Sequence, residues 1–297
     1  MNSKLITGTI VKGIGGFYYV KTENGIIATR GRGNLKRDGN SLLVGDEVKL
    51  SLLESSEESF QGIIEDVFPR KNSLIRPPIA NVDKLVLVVS ATKPRVNYEL
   101  LDRFLVVAEE KHIPVLILMN KADTGLEDEI SRLMHRYGNF YDCLPVSVIS
   151  KHNISRLSEM LADKKVAFAG PSGVGKSSII NLLSDDGEME TGEISWKNQR
   201  GRHTTRHVEI LNGRHGSLIF DTPGFTSIDL PDIDSSELKE YFPEFLSFNG
   251  KCKFQNCNHI KEPGCRVMEA IEQGSINNER HESYIRLFNE IHENSKY

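Results

Sequence analysis

The chain has 297 residues, a formal net charge of −4, and 26% charged against 7% aromatic residues, which is the make-up of a soluble globular protein with room for two or three cores. A charge this small excludes a polycation, so nucleic-acid binding would have to come from a local patch. No apolar run reaches the length of a membrane span and no signal-peptide core is seen at the N-terminus, so no membrane partner is expected and the cytoplasm is the expected compartment.

Residues 1–70 read as about five short strands punctuated by glycine, among them Gly8–Lys12, Phe17–Val20, Gly25–Ala28, Val48–Leu52 and Gly62–Val67. Without a helical period, that pattern predicts a small β-barrel, with the OB-fold as the commonest five-stranded form. The stretch from Pro69 to Pro78 reads as an irregular linker. From Leu85 the pattern becomes α/β. Apolar strands at Leu85–Val89, Val115–Met119, Leu144–Val146 and Lys165–Ala169 alternate with helices near residues 98–111, 126–137 and 154–161. Such alternation predicts a parallel sheet covered on both faces, with ligands at the carboxyl ends of its strands. A further strand is expected over Ser217–Phe220. Residues 71–240 form the central domain on this reading, and residues 241–297 a C-terminal domain of a Cys/His cluster followed by charged helical sequence from Val267.

Three nucleotide motifs punctuate the central domain. Gly170-Pro171-Ser172-Gly173-Val174-Gly175-Lys176-Ser177 follows a strand and is a complete P-loop. Its glycines let backbone N–H groups turn toward phosphate, with Ser172, Val174 and Ser178 among the contacting positions. Lys176 is placed to reach the β- and γ-phosphates, and the Ser177 hydroxyl suits Mg²⁺. Asn120-Lys121-Ala122-Asp123 is a guanine-recognition N-K-x-D: a carboxylate at Asp123 accepts from guanine N1–H and the 2-amino group, a donor pair that adenine lacks. Ser147-Val148, after the next strand, is a weaker base-loop candidate, with Val148 where Ala is usual. Asp221-Thr222-Pro223-Gly224 is a D-x-x-G, with Asp221 toward Mg²⁺ and the Gly224 amide toward the γ-phosphate. N-K-x-D precedes the P-loop, the reverse of the usual order, so the chain is a circularly permuted P-loop GTPase. Between P-loop and D-x-x-G, Gly201-Arg202-His203-Thr204-Thr205 holds a threonine for Mg²⁺ and the γ-phosphate. The sequence does not decide between Thr204 and Thr205. Phe225 stands where many GTPases carry a glutamine that orients water, so slow unassisted turnover is expected, with His203 as the nearest candidate to position water.

Three of the four cysteines fall between Cys252 and Cys265. Cys252, Cys257, His259 and Cys265 offer three thiolates and one imidazole, the donor set of a closed structural Zn²⁺ site. In the barrel, Arg30-Gly31-Arg32-Gly33-Asn34-Leu35-Lys36-Arg37 concentrates positive charge near Phe17, Tyr18 and Tyr19, a composition that suits single-stranded nucleic acid.

Together these features resemble the ribosome small-subunit-dependent GTPase A family, RsgA. The resemblance runs over almost the whole chain. It is carried also by Gly45-Asp46, by Arg76-Pro77-Pro78-Ile79-Ala80-Asn81-Val82-Asp83, by Gly201 to Thr205, and by Arg280-His281-Glu282-Ser283-Tyr284. It implies an OB-fold, a permuted GTPase domain and a zinc-binding tail. It also implies a monomer that binds GTP or GDP, engages the small ribosomal subunit through rRNA late in assembly, and leaves on hydrolysis. The rival reading is a GTP-gated RNA-binding module acting on another RNA or on the large subunit, with incidental hydrolysis.

Overall fold

The computed structural model describes residues 5–33, 41–53, 60–124, 127–185, 208–222 and 225–294. In chain order the strands and α-helices are β1 (Leu5–Ile14), β2 (Phe17–Thr22), β3 (Gly25–Gly31), β4 (Glu47–Leu52), β5 (Gly62–Val67), β6 (Ser73–Leu74), β7 (Ile79–Ala80), β8 (Lys84–Ser90), α1 (Tyr98–Glu110), β9 (Val115–Asn120), α2 (Glu127–Tyr137), β10 (Asp142–Pro145), α3 (Ile154–Met160), β11 (Lys165–Ala169), α4 (Lys176–Leu183), β12 (Glu209–Asn212), β13 (Leu218–Asp221), α5 (Pro243–Leu246), α6 (Arg266–Glu272) and α7 (Asn278–Asn294). The chain divides into two compact units. One comprises Met1–Leu85, Ile154–Ala169 and Gly175–Phe225; the other comprises Val86–Asn153, Gly170–Val174 and Thr226–Tyr297.

In the first unit, β1 to β5 close the expected five-stranded barrel in the order β1-β2-β3-β5-β4, with β4 returning to β1. All its pairings are antiparallel except β3 with β5. The two-residue period of the strands turns Ile10, Val20, Ile27, Val48, Leu50 and Ile64 inward, none more than 8% exposed. Burying each contributes about 1.5–3 kcal/mol.

The supposed linker is more ordered than its prolines suggest. β6 and β7 pair as a short antiparallel ladder, Ser73 against Ala80 and Leu74 against Ile79. Side-chain amides hold the ends of this hairpin. Asn72 Oδ1 accepts from Val82 N and its Nδ2 donates to Val82 O, both at 2.9 Å. Asn81 Oδ1 accepts from Lys71 N, and its Nδ2 donates to Gly45 O. The buried Asp46 carboxylate receives Arg70 Nε at 2.6 Å. Also in this unit, β13 pairs parallel with β11 and antiparallel with β12, a strand absent from the expectations above.

In the second unit, β9 lies between β10 and β8, and all six of its residues are buried. α1 starts where Asn97 Oδ1 accepts from Leu100 N at 3.0 Å, an N-cap that fixes the helix start. The expected C-terminal helical sequence forms two helices, α6 and α7. Gly274 takes φ +72° just past the end of α6, and its N–H returns to Ile271 O, the left-handed C-cap that ends a helix. α7 then buries Tyr284, Leu287, Phe288 and Ile291, at helical spacing, against Leu238, Phe242 and Phe245. Beneath α7 runs a buried ionic network. Arg280 Nε donates to Glu244 Oε1 at 2.7 Å, and its Nη1 donates to Asp102 Oδ1. Asp102 also accepts from Arg136 Nη2 and from the Tyr137 hydroxyl, each at 2.7 Å.

Candidate functional site

The loop between β11 and α4 has the backbone that its glycines require. Gly170 sits at φ +140°, and a Cβ there would stand 2.2 Å from Val88 O, so any side chain would collide with β8. Gly173 and Gly175 are also left-handed, at φ +79° and +98°. α4 begins at Lys176 with no side-chain cap at Gly175. Helix N-termini of this kind present backbone N–H groups to anions. Lys176 is half-buried, and burial lowers its pKa from the ordinary lysine value. Ser177 is exposed in the first turn and Ser178 is half-buried.

The N-K-x-D segment is tied to the P-loop within the second unit. Asn120 is 3% exposed at the end of β9, and its Nδ2 donates to Val174 O at 2.9 Å. Its Oδ1 accepts from Val148 N at 3.4 Å, which joins the second base-loop candidate to the first. Lys121 adopts φ +64°, and its ammonium donates to Gly173 O at 2.9 Å and also to Lys93 O. Asp123 follows in a 3₁₀ turn, Ala122–Thr124, and is exposed. Ser147 is buried, with its hydroxyl accepting from Ser150 N at 3.1 Å, so its side chain shapes the turn while Val148 presents its backbone to Asn120. Asn120, Lys121, Val148, Gly173 and Val174 therefore form one connected cluster, with Ser147 shaping the turn next to Val148. The Lys93 carbonyl was not among the expected participants, because a carbonyl leaves no trace in residue type.

In the first unit, Asp221 ends β13, half-buried, and burial pushes its carboxyl above the usual range, with Glu209 adding to the rise. Glu209 is its cross-strand partner on β12. Phe225 is 3% exposed, and its N–H returns to Thr222 O, so the residue in place of glutamine is packed away. His203, Thr204, Thr205 and Gly224 lie outside the described residues.

Cys252, Cys257, His259 and Cys265 converge, with their donor atoms all within 4.8 Å of one another, and could hold a metal ion. His259 Nδ1 lies 3.6 Å from Cys252 Sγ and 3.4 Å from Cys265 Sγ, and the two sulfurs are 4.0 Å apart. Burial pushes the Cys257 thiol up to about 12. The surrounding fold fixes the loop. His281 Nε2 lies 2.6 Å from His259 O, the Tyr284 hydroxyl donates to Asn258 O, and the Glu262 carboxylate collects the Asn258, Ile260 and Lys261 N–H groups.

The description "RsgA GTPase" belongs to a family model that matches residues 67–231, and "RsgA N-terminal domain" to one that matches residues 7–64. The chain belongs to the RsgA GTPase family. Among RsgA relatives, the small ribosomal subunit biogenesis GTPase RsgA of Caldanaerobacter subterraneus subsp. tengcongensis is 44% identical over 292 residues, covering 98% of this chain and 97% of that protein. The protein of the same name from Ruminiclostridium cellulolyticum is 41% identical over 294 residues, covering 98% and 95%. Of solved structures, YjeQ from Thermotoga maritima superposes with a TM-score of 0.82 at 32% identity, covering 97% of this chain and 99% of that one. YloQ, described as a circularly permuted GTPase, gives 0.81 at 35% identity, covering 98% and 96%. The RsgA architecture of barrel, permuted GTPase domain and C-terminal helices with a Cys/His cluster is therefore that of this chain.

Proposed function

We propose that this chain is a GTP hydrolase that binds the small ribosomal subunit through rRNA, assists its late maturation, and leaves when GTP is hydrolysed. The observation that carries the reading is the pinning of N-K-x-D to the P-loop. Asn120 and Lys121 direct their donors to Val174 and Gly173, which leaves Asp123 exposed to receive guanine. The small subunit is named in the description of full-length relatives, which supports it as the partner. Mixing the protein with isolated small subunits should raise its turnover severalfold or more over an intrinsic rate on the order of 10⁻⁴ to 10⁻² s⁻¹. Equal stimulation by large subunits or free rRNA would favour a general RNA-gated module instead.

In this reading residues 1–70 are the barrel, 71–240 the GTPase domain and 241–297 the zinc-binding domain of a cytoplasmic monomer. Gly170, Ser172, Gly173, Val174, Gly175, Lys176 and Ser178 hold the phosphates. Ser177 and Asp221 would hold Mg²⁺, with Thr204 or Thr205 joining them in the GTP state, and the metal would supply neutralisation of phosphate charge. Gly224 would sense the γ-phosphate, and His203 is the sequence candidate to position water in the absence of a glutamine. Ser147 shapes the loop beside the base. Asp123→Asn should move preference from GTP to xanthosine triphosphate, whose carbonyl replaces the 2-amino group. Competition binding is the check, and wild-type protein that bound ATP as tightly as GTP would overturn the assignment.

The Cys₃His cluster fits Zn²⁺. With Zn–S near 2.3 Å and Zn–N near 2.0–2.1 Å, a tetrahedron has S···S edges of about 3.8 Å and S···N edges of about 3.6 Å. The 4.0, 3.6 and 3.4 Å separations lie close to these, and all four donor atoms lie within 4.8 Å of one another. Metal binding in such a loop supplies folding free energy. Chelation should therefore expose residues 250–266 to protease while leaving GTP affinity largely intact. Less than half an equivalent of zinc in carefully purified protein would count against the site.

A further inference from the structure

Strand β12 is short, only Glu209–Asn212, and it sits between two neighbours with different duties. On one side it pairs antiparallel with β13, in a register that sets Glu209 opposite Asp221. On the other, among the described residues, it meets the barrel strand β1 at one position, Lys12 against Glu209. The Lys12 ammonium pairs with the Glu209 carboxylate, and both side chains are about one-third exposed. At the far end of β12 a second barrel lysine, Lys21, donates to Asn212 Oδ1 at 2.6 Å. Two barrel lysines therefore hold the two ends of the strand that leads to the magnesium-side carboxylate.

The charges along this line matter because one cation, Lys12, is followed by two adjacent carboxylates, Glu209 and Asp221. Directly opposed residues on antiparallel strands bring their Cβ atoms to about 4.5–5.5 Å, and like charges there are unfavourable. Glu209 and Asp221 are such a pair, and Lys12 is the cation that offsets it. Lys12 also faces the barrel's outer surface. Its cross-strand partner on β2 is Tyr19, 36% exposed, and Lys21 lies two residues further along the same face. An exposed aromatic flanked by lysines is a surface on which an RNA strand can stack a base and seat its phosphates.

We infer that Lys12 is a charge switch operated by RNA: a phosphate that captures its ammonium leaves Glu209 uncompensated across from Asp221, and the added negative potential tightens the divalent cation there and speeds hydrolysis. The inference rests on the reading above, in which Asp221 is a magnesium ligand and the barrel meets rRNA. Lys12 and Glu209 are positioning residues, since they act through Asp221 and belong to none of the nucleotide motifs. The switch gives RNA on the barrel a short route to the hydrolytic site, through one ion pair and one cross-strand register.

The test uses full-length, zinc-loaded protein and follows two readouts against magnesium concentration, GTP turnover and binding of a fluorescent non-hydrolysable GTP analogue, first without ribosomal particles. Lys12→Ala should lower the half-saturating magnesium concentration about three- to tenfold, the size expected for unmasking one charge near a divalent ion at a protein surface. Lys12→Met, which keeps the apolar stem, should do the same. Glu209→Gln should shift the half-saturation the opposite way, and Lys12→Ala combined with Glu209→Gln should return close to wild type. Lys49→Ala, which removes a barrel lysine paired with Asp66 away from β12, should not move it. Identical magnesium curves for wild type and Lys12→Ala, or a shift that persists in the double variant, would overturn the switch. With small subunits added, the wild-type half-saturation should fall and that of Lys12→Ala should change less than twofold. Wild-type turnover that ignores the subunits would overturn the ribosomal reading instead, and the particle-free curves separate the two failures.

Discussion

Arg280→Ala should destabilise the protein by about 3–5 kcal/mol, the usual cost of removing one partner from a buried ion network. Arg280 is fully buried in α7 and stands between the Asp102 and Glu244 carboxylates, both also buried. Its guanidinium further lies 4.4 Å over the Phe242 ring. Removal strands Glu244 without its ion-pair partner and leaves Asp102 with Arg136 and Tyr137. Because the fork meets Glu244 through Nε and Nη2 and Asp102 through Nη1, Arg280→Lys should recover only part of the loss. Urea unfolding monitored on the whole chain is the measurement, and a loss under 1 kcal/mol would show that the network contributes little. The network ties α1 and α2 to α5 and α7, and the next residue, His281, contacts the backbone of the zinc candidate His259. The same variant should therefore also weaken metal retention, which chelator competition would read.

The parts of this molecule that could be read in the sequence are those whose chemistry dictates spacing. A phosphate cradle needs glycines at fixed intervals, so Gly170, Gly173 and Gly175 marked the loop. Their left-handed backbone and the clash that a Cβ at Gly170 would meet are the physical reason. The four metal donors were legible for the same reason, as were the barrel strands, whose inward residues alternate. β12 escaped because Glu-Ile-Leu-Asn is too short and too evenly half-exposed to show a period, and only its pairing with β13 makes it a strand. The hairpin of β6 and β7 escaped because Arg76-Pro77-Pro78 reads as a break, while the bonds that shape its ends come from the Asn72 and Asn81 side chains. Arg280 was visible as part of a motif but not as a buried cation. In a charged helix it reads as solvated, and its partner Asp102 is 178 residues away. Contacts between distant residues that carry no spacing rule were what the sequence withheld.

Lys176→Ala should reduce GTP turnover by about 10²–10³-fold or more, the scale of losing a preorganised donor from a site where charge develops. The folded protein, by contrast, should not suffer. Burial lowers the pKa of Lys176, so the ligand-free site disfavours the very charge it holds. An alanine removes that penalty together with the contacts that Lys176 makes in the folded chain, so the melting temperature without nucleotide should change little. What should vanish is the extra stability that GTP confers on the wild type, because a ligand stabilises only in proportion to its binding. The pairing of these results is the informative part: a variant merely misfolded would lose both. Small-subunit affinity supplies the last reading. Wild-type protein should bind the subunit more tightly with a non-hydrolysable GTP analogue than with GDP, and Lys176→Ala should show one affinity whichever nucleotide is present. Retention of a tenth or more of the turnover in Lys176→Ala would remove the P-loop lysine from the mechanism. Equal wild-type affinities in the two nucleotide states would mean that hydrolysis does not time release.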